Sequence, residues 1–380
     1  MAAPDGIVNG AKLGRSWFRE RCVMGPSRWT ADAAAGWRQR TGLIIGCNFT
    51  PGYAANQIEF WSSDTFDRKA IEAELDLVRS VGFNVIRIYL HDLCFTADAR
   101  HFLDCIDAVL DAAARRGIGV VPVIFDSVWH PFPVAGRQRE PERGVHNAGW
   151  VQSPGLAVLR DQARFAALQS YVTTLIGKFC NDPRVLMWDL WNEPDNENIG
   201  SYGDRDAGRG KAALVLPLLD RVFDWARAAE PTQPLTSAVW FGDWSPLALS
   251  ALERLQLDRS DVITFHNYGP PGDLHARIAV LQAYQRPLIC TEWMARPLGS
   301  TFAACLPVFV ETGVGSMCWG LVRGRSQCHL PWETWRGPAV GEPDVWFHDV
   351  FRRDHSAYDE NEIALITSVT AAHTQRFEVR

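Results

Sequence analysis

Two glutamates stand where apolar runs stop. Val185-Leu186-Met187-Trp188-Asp189-Leu190-Trp191 breaks off at Asn192-Glu193-Pro194, and Pro194 cannot continue a ladder, so a strand must end there. Pro287-Leu288-Ile289-Cys290-Thr291 runs into Glu292-Trp293 in the same way. Runs this apolar read as strands buried on both faces, as in parallel sheets. Either glutamate alone could be a solvated loop carboxylate. The pair, 99 residues apart between positions 193 and 292, leaves room for three further strand and helix units and could face each other across one barrel mouth. Glycoside hydrolysis needs that arrangement: one carboxylic acid protonates the leaving oxygen, and one carboxylate attacks or stabilises the anomeric carbon.

Side chains alternate along a strand, so the groups that join this pair can be read off the other strand ends. The second strand offers Arg87 and, further on, His91. The third offers Asp126, with Trp129 and His130 beyond it. The sixth places His266 and Tyr268 on one face, and the eighth places Trp319. In a retaining glycosidase Arg87 would hold Glu292 ionised, Tyr268 would donate a hydrogen bond to it, and Asn192 would bind the sugar 2-hydroxyl. Trp319 would be the floor for the sugar ring, and Glu193, in drier surroundings, would stay protonated as acid and then base. The bland alternatives are a structural ion pair of Arg87 with Asp126, and histidines 91, 130 and 266 satisfied within the fold. Of the 16 tryptophans, Trp129, Trp150, Trp240, Trp244, Trp332 and Trp335 fall in loops, and half of them are expected to meet substrate.

The scaffold must bring distant strand ends together. From Leu43 onward strand-like runs alternate with amphipathic helical segments for eight rounds, which predicts α/β architecture, a closed (β/α)8 TIM barrel whose active site lies at the carboxyl ends of its strands. The strands are expected at Leu43 to Asn48, Asn84 to Leu90, Gly119 to Phe125, Val185 to Leu190, Pro234 to Ala238, Val262 to His266, Leu288 to Thr291 and Ser316 to Trp319. Helices are expected over Asp67 to Val81 and Phe102 to Arg115, each with one apolar stripe, and a last one over Glu360 to Ala372. Residues 1 to 42 read as an N-terminal extension capping the barrel bottom, and 43 to 380 as one catalytic domain. Long polar excursions follow the third strand, Pro131 to Ser153, and the eighth, Leu321 to Tyr358, where substrate walls are built.

A net charge of -6, with no basic stripe, argues against nucleic acid and for a small neutral substrate. No run of about 18 apolar residues predicts a membrane span. Met1 to Arg21 has no apolar segment of the export type, so the chain is expected in the cytoplasm. Nine cysteines, mostly within apolar patterns (Cys47, Cys105, Cys180, Cys290, Cys318), read as buried reduced thiols. No cysteine and histidine spacing matches zinc, and the triplet Asn48-Phe49-Thr50 falls on a buried strand end. Neither metal nor cofactor is expected.

Arg87, Asn192-Glu193-Pro194, His266-x-Tyr268, Glu292 and Trp319, in that order on five strands, resemble clan A of the glycoside hydrolases, most nearly family 5, over about residues 40 to 372. The resemblance implies a (β/α)8 barrel that cleaves β-glycosidic bonds with retention, Glu193 being acid/base and Glu292 nucleophile. Gly46-Cys47-Asn48-Phe49-Thr50-Pro51, His91-Asp92-Leu93, Gly144-Val145-His146-Asn147-x-Gly149-Trp150 and Ala295-Arg296-Pro297 are similar to a bacterial group labelled cellulase-like or 1,4-β-xylanase-like. The chain departs from many family 5 endoglucanases in ending its third strand Phe125-Asp126-Ser127, without a histidine there. With no export segment, a small oligosaccharide or glycoside is the expected substrate, held in a pocket walled by the two excursions.

Other readings are an inverting glycosidase, an endo-acting glucanase, xylanase or mannanase, a catalytically inactive sugar-binding barrel, and a Schiff-base or magnesium enzyme on the same fold. The last fares worst: the four lysines, Lys12, Lys69, Lys178 and Lys211, avoid every strand end, and no carboxylate cluster suits magnesium.

Overall fold

The computed structural model describes residues 28–375 and 377. Eight parallel strands, β1 (Ile45–Asn48), β2 (Val85–Tyr89), β3 (Gly119–Asp126), β4 (Trp188–Asn192), β5 (Leu235–Thr236), β6 (Ile263–Asn267), β7 (Leu288–Trp293) and β8 (Gly315–Cys318), lie in the order β5-β4-β3-β2-β1-β8-β7-β6. The two ends of that order meet through Val239, which bridges Phe265, its N–H donating to Thr264 and its carbonyl accepting from His266. The result is a (β/α)8 TIM barrel.

Every residue of every strand is buried, as parallel strands between a filled barrel and a helix layer must be. The helices Arg68–Ser80 and Ala99–Ala114 bury Ile71, Leu75 and Val78, and Phe102, Ile106, Val109 and Ala113, as their stripes predict. The last helix runs Glu360–His373. At the amino-terminal ends of the strands, Ala34 and Trp37 from the helix Ala31–Thr41 pack with Ile44, Val85, Val121, Met187, Val262 and Ile289. The expected extension begins earlier, and residues 1–27 lie outside the described part.

Three strand limits differ from expectation for identifiable reasons. β5 stops at Thr236 because Gln256 takes the Ala238 carbonyl (2.6 Å) and Ser260 Oγ takes the Ser237 N–H (3.2 Å), so side chains replace the ladder there. β4 starts at Trp188, Val185 making only an isolated bridge to Val120. β7 continues through Glu292 and Trp293, and its register slips against both neighbours around Glu292. Such a bulge re-aims the side chain at its position.

Among the described residues, eight cysteines are free thiols, seven of them buried and Cys180 partly so. Asn48 is buried and spends its amide on the Thr291 and Cys318 carbonyls, so its triplet offers no acceptor for a glycan. Among the described residues no helix is long and apolar enough to cross a membrane.

Candidate active site

Arg87 sits at the middle of the barrel top, fully buried. A guanidinium there must have its donors met. Nε and Nη2 both bind Asp189 Oδ2 (3.0 and 2.9 Å), Nη2 also binds Asn192 Oδ1 (2.7 Å), and Nη1 binds Asn48 Oδ1 (2.8 Å), the Tyr89 hydroxyl and Glu292 Oε1 (2.9 Å). Its carboxylate partners are thus Asp189 and Glu292. The alternative pair with Asp126 does not form.

Glu292 accepts two further hydrogen bonds, from the Tyr89 hydroxyl on Oε1 (2.6 Å) and from the Tyr268 hydroxyl on Oε2 (2.8 Å). Burial alone would raise its carboxyl. His266, Arg87 and the two phenol donors outweigh that and hold it below the usual carboxylate range.

Glu193 has the opposite balance. It follows β4 in a left-handed backbone conformation (φ 41°), a position that costs a non-glycine residue free energy and marks functional sites. Its Oε1 lies 2.9 Å from His266 Nδ1, and its Oε2 accepts from Asn196 (2.6 Å). Burial first, and then the nearby negative charge of Glu292, push its carboxyl above the usual range against the pull of His266. One oxygen of each glutamate and a His266 ring nitrogen all lie within 4.8 Å of one another. A cation could sit among these atoms, yet Arg87 already supplies positive charge beside them and each oxygen has a protein donor or imidazole beside it.

Asn192 is fixed from both ends, its Oδ1 accepting from Arg87 and its Nδ2 donating to Asp126 Oδ1 (3.0 Å). One N–H and one lone pair remain for a ligand. Trp319 is half-buried at the end of β8, its ring edge-to-face with Tyr89 and Trp150 (5.7 and 6.0 Å).

A cavity of about 670 Å³ opens above these groups. Of the expected site residues, Glu193, Glu292, Asn192, Tyr268, Trp129 and Trp319 line it. Arg87, His266 and Asp126 do not; they lie beneath it and act on residues that do. Asp126 accepts from Asn192, Gln57, Trp150 and the Val128 N–H, so it is a positioning group where a sugar ligand was expected. His91 is displaced altogether: fully buried, it caps the helix Asp92–Ala97 by accepting from the Leu93 N–H (3.1 Å). His130 likewise accepts from the Phe132 N–H and packs on Tyr202. Among the loop tryptophans, Trp129, Trp240, Trp332 and Trp335 line the cavity, whereas Trp150 and Trp244 are buried against the barrel.

Sequence reasoning passed over Tyr89, which shares the inward face of β2 with Arg87 two residues away, and Asp189, hidden inside an apolar run. It also passed over Asn196. Trp240 Nε1 donates to Asp195 (2.6 Å) and, with the exposed Phe241 and Ile199, forms the apolar rim on the β4 and β5 side.

The two excursions join into one wall. The Asn147 N–H donates to the Ser326 carbonyl (2.9 Å) and Ala339 N–H to Gly144 (2.8 Å), while Gln327 accepts from the Gly144 N–H and donates to Val145. Trp129 and Trp335 stack across the seam, with ring centres 5.1 Å apart and planes 17° apart.

The family model described as Cellulase (glycosyl hydrolase family 5) matches residues 46–296. A probable mannan endo-1,4-β-mannosidase F of Emericella nidulans is 23% identical over 172 residues, 39% of this chain and 38% of that protein. Mannan endo-1,4-β-mannosidase A of the same organism is 19% identical over 181 residues, 43% of this chain and 45% of that protein. The chain therefore spans about two-fifths of the length of the curated relatives it matches. Among solved structures, GH5_18 from Streptomyces cattleya in complex with Manβ1-4GlcNAc has a TM-score of 0.57 at 15% identity, covering 87% of this chain and 80% of that one. An exo-β-1,4-mannosidase from an Opitutaceae bacterium has a TM-score of 0.59 at 17% identity, covering 88% and 60%.

Proposed function

Starting from its family, for the chain belongs to glycosyl hydrolase family 5, we propose that it is a retaining β-glycosidase acting on a small oligosaccharide or glycoside. A glycoside hydrolase acting on O-glycosyl bonds is the premise. The retention, the residue roles and the substrate size are the proposal.

The observation that carries it is the split within one carboxyl pair. One oxygen of Glu193 and one of Glu292 lie within 4.8 Å of each other, a spacing compatible with the roughly 5–5.5 Å between carboxyl groups in double displacement. Within that pair Glu292 is favoured as the anion and Glu193 as the acid. Glu193 would protonate the departing oxygen while Glu292 attacks the anomeric carbon. Glu193 would then deprotonate the water that releases the sugar from Glu292. Asn192, with its spare N–H and lone pair, would hold the 2-hydroxyl, and Trp319 would lie against the ring.

The seam between the excursions favours a pocket over an open groove, hence a short substrate. The mannanase relatives, and the Manβ1-4GlcNAc bound to the Streptomyces enzyme, make β-1,4-mannosides the first substrates to try. An endo-acting mannanase is the second reading, favoured by the names of the two Emericella relatives.

The test is incubation with aryl β-glycosides and short manno-, gluco-, xylo- and galacto-oligosaccharides. Products would be read by mass spectrometry and the first-formed anomer by NMR, with Glu292→Ala in parallel. The expected result is a β-anomer released first, from a substrate whose turnover vanishes in Glu292→Ala. An α-anomer released first would sink retention, and turnover that survives the substitution would sink Glu292 as nucleophile.

A further inference from the structure

The wall made by the two excursions carries polar groups that the proposed chemistry does not use. His146 and His348 both line the cavity and are buried. Each places Nδ1 on a main-chain carbonyl: His146 on Leu330 (2.7 Å) and His348 on Met294 (2.5 Å). A carbonyl oxygen can only accept, so Nδ1 carries the proton in both rings, and Nε2 of each neutral ring is an acceptor. Burial pushes His146 down to about 4 and His348 well below its ordinary range, keeping both neutral near pH 7. Next to His146 in the wall, Asn147 is held at φ 49° by main-chain bonds to Ser326 and Trp150, and neither its Oδ1 nor its Nδ2 has a partner among the described residues. Trp335 Nε1 is also without one.

These groups form a continuous path from the carboxylates. Tyr268, whose hydroxyl binds Glu292, is 5.5 Å from His348; His348 is 5.4 Å from His146; His146 is 5.9 Å from Trp129, which stacks on Trp335. Buried polar atoms left unpaired cost free energy, so the unpaired Asn147 amide and Trp335 Nε1 in the cavity lining are best explained by a ligand that pairs them. Two imidazole lone pairs accept from hydroxyls and repel a carboxylate. Five carboxyl groups (Glu193, Asp195, Glu197, Glu292 and Glu333) and one guanidinium, Arg336, also line the cavity, which disfavours an anion further.

We propose that His146, Asn147 and His348 form a specificity site that binds the hydroxyls of a neutral sugar unit next to the catalytic carboxylates and rejects uronic acids. This rests on the glycosidase reading and goes beyond it by naming which residues select the sugar and what they exclude.

The experiment takes the panel substrate with the highest turnover, its monodeoxy analogues and its 6-carboxylate counterpart, and measures kcat and KM for wild type, Asn147→Ala, Asn147→Ser and His146→Ala. In wild type, removal of at least one hydroxyl is expected to lower kcat/KM about tenfold or more. In Asn147→Ala or Asn147→Ser that penalty should largely vanish, a loss of discrimination that mere loosening of the fold does not produce. The 6-carboxylate substrate should be turned over at least tenfold more slowly than the neutral one. An active wild type whose deoxy penalties are the same in every variant, or which accepts the uronide equally well, overturns this inference alone. A wild type with no Glu292-dependent turnover overturns the glycosidase reading and this inference with it.

Discussion

His266 stands between the two glutamates, its Nδ1 lying 2.9 Å from Glu193 Oε1 and 3.6 Å from Glu292 Oε2. One imidazole therefore touches both members of the pair, and the direction in which each carboxyl moves depends on what else surrounds it. Glu292 also has Arg87 and two phenol donors. Glu193 has the amide of Asn196 and the repulsion of Glu292.

That asymmetry predicts a bell-shaped pH profile. Glu292 must be ionised and is held low, so activity falls on the acid side only as pH drops through a value below the usual carboxylate range. Glu193 must be protonated and is held high, so activity falls on the alkaline side as pH rises through a value above that range. In Glu193→Gln the alkaline limb should disappear. kcat should drop by about 10²–10⁴-fold for a poor leaving group, and far less for a dinitrophenyl glycoside that needs no proton. Steady-state rates from pH 3 to 9 check this; an unchanged alkaline limb would remove Glu193 from the acid role.

Arg87→Lys is predicted to move the acid limb. A lysine offers one compact charge in place of a planar fork, and cannot serve Asp189, Asn192, Asn48 and Glu292 together. With part of its stabilising charge withdrawn, Glu292 should rise toward its ordinary value, and the acid limb should rise with it. The measurement is the pH dependence of kcat/KM for the folded variant. A limb that stays in place would mean that the tyrosines and His266 alone hold Glu292 down.

The eight strands and both glutamates could be read from the chain because buried parallel strands are continuous apolar runs and a carboxylate interrupts them conspicuously. Alternation along β2 made Arg87 legible and carried Tyr89 as plainly, although the inference stepped from Arg87 to His91. The backbone turns after Tyr89, and His91 ends as a helix cap. Asp189 was hidden because only the position of Arg87 in space separates it from an unexplained carboxylate in a core strand. The bulge that re-aims Glu292 has no periodic signal. The wall residues His146, Asn147 and His348 belong to irregular segments whose course is set by cross-links distant in sequence, such as Gly144 to Gln327 and His348 to Met294, and no local pattern encodes those.

Asp349 predicts a stability effect with a definite sign. It is fully buried below Gly320, its Oδ2 has no partner among the described residues, and burial pushes its carboxyl up to about 7 against the pull of Arg296 and Arg323. A folded value above the unfolded one means that the contribution is present in full below about 4 and is lost as pH rises through about 7. Thermal unfolding at pH 5 and pH 8 should therefore show a lower Tm at pH 8, and Asp349→Asn should narrow that difference. A pH dependence identical in the variant would assign the loss to other groups.

The last prediction concerns a buried ion pair well outside the chemistry. Lys211 Nζ binds Asp206 Oδ2 and the Ser127 carbonyl (both 2.8 Å), with both charged side chains inaccessible to solvent. Asp206 Oδ2 also accepts from Gln152 (2.9 Å) and Asn198 (2.7 Å); Gln152 donates to the Trp129 carbonyl, and Asn198 accepts the Trp129 N–H. Trp129 lines the cavity with a left-handed backbone (φ 66°), and both its main-chain groups hang on this pair. Lys211→Met leaves Asp206 buried and uncompensated, which should cost on the order of 3–5 kcal/mol and free Trp129 to leave the wall. The expected outcome is a lower Tm together with a KM raised several-fold and a much smaller change in kcat, because no reacting group has moved. A Tm loss with KM unchanged would show that Trp129 keeps its place by stacking on Trp335 alone. A kcat loss as large as the KM change would show that the pair also governs the carboxylates.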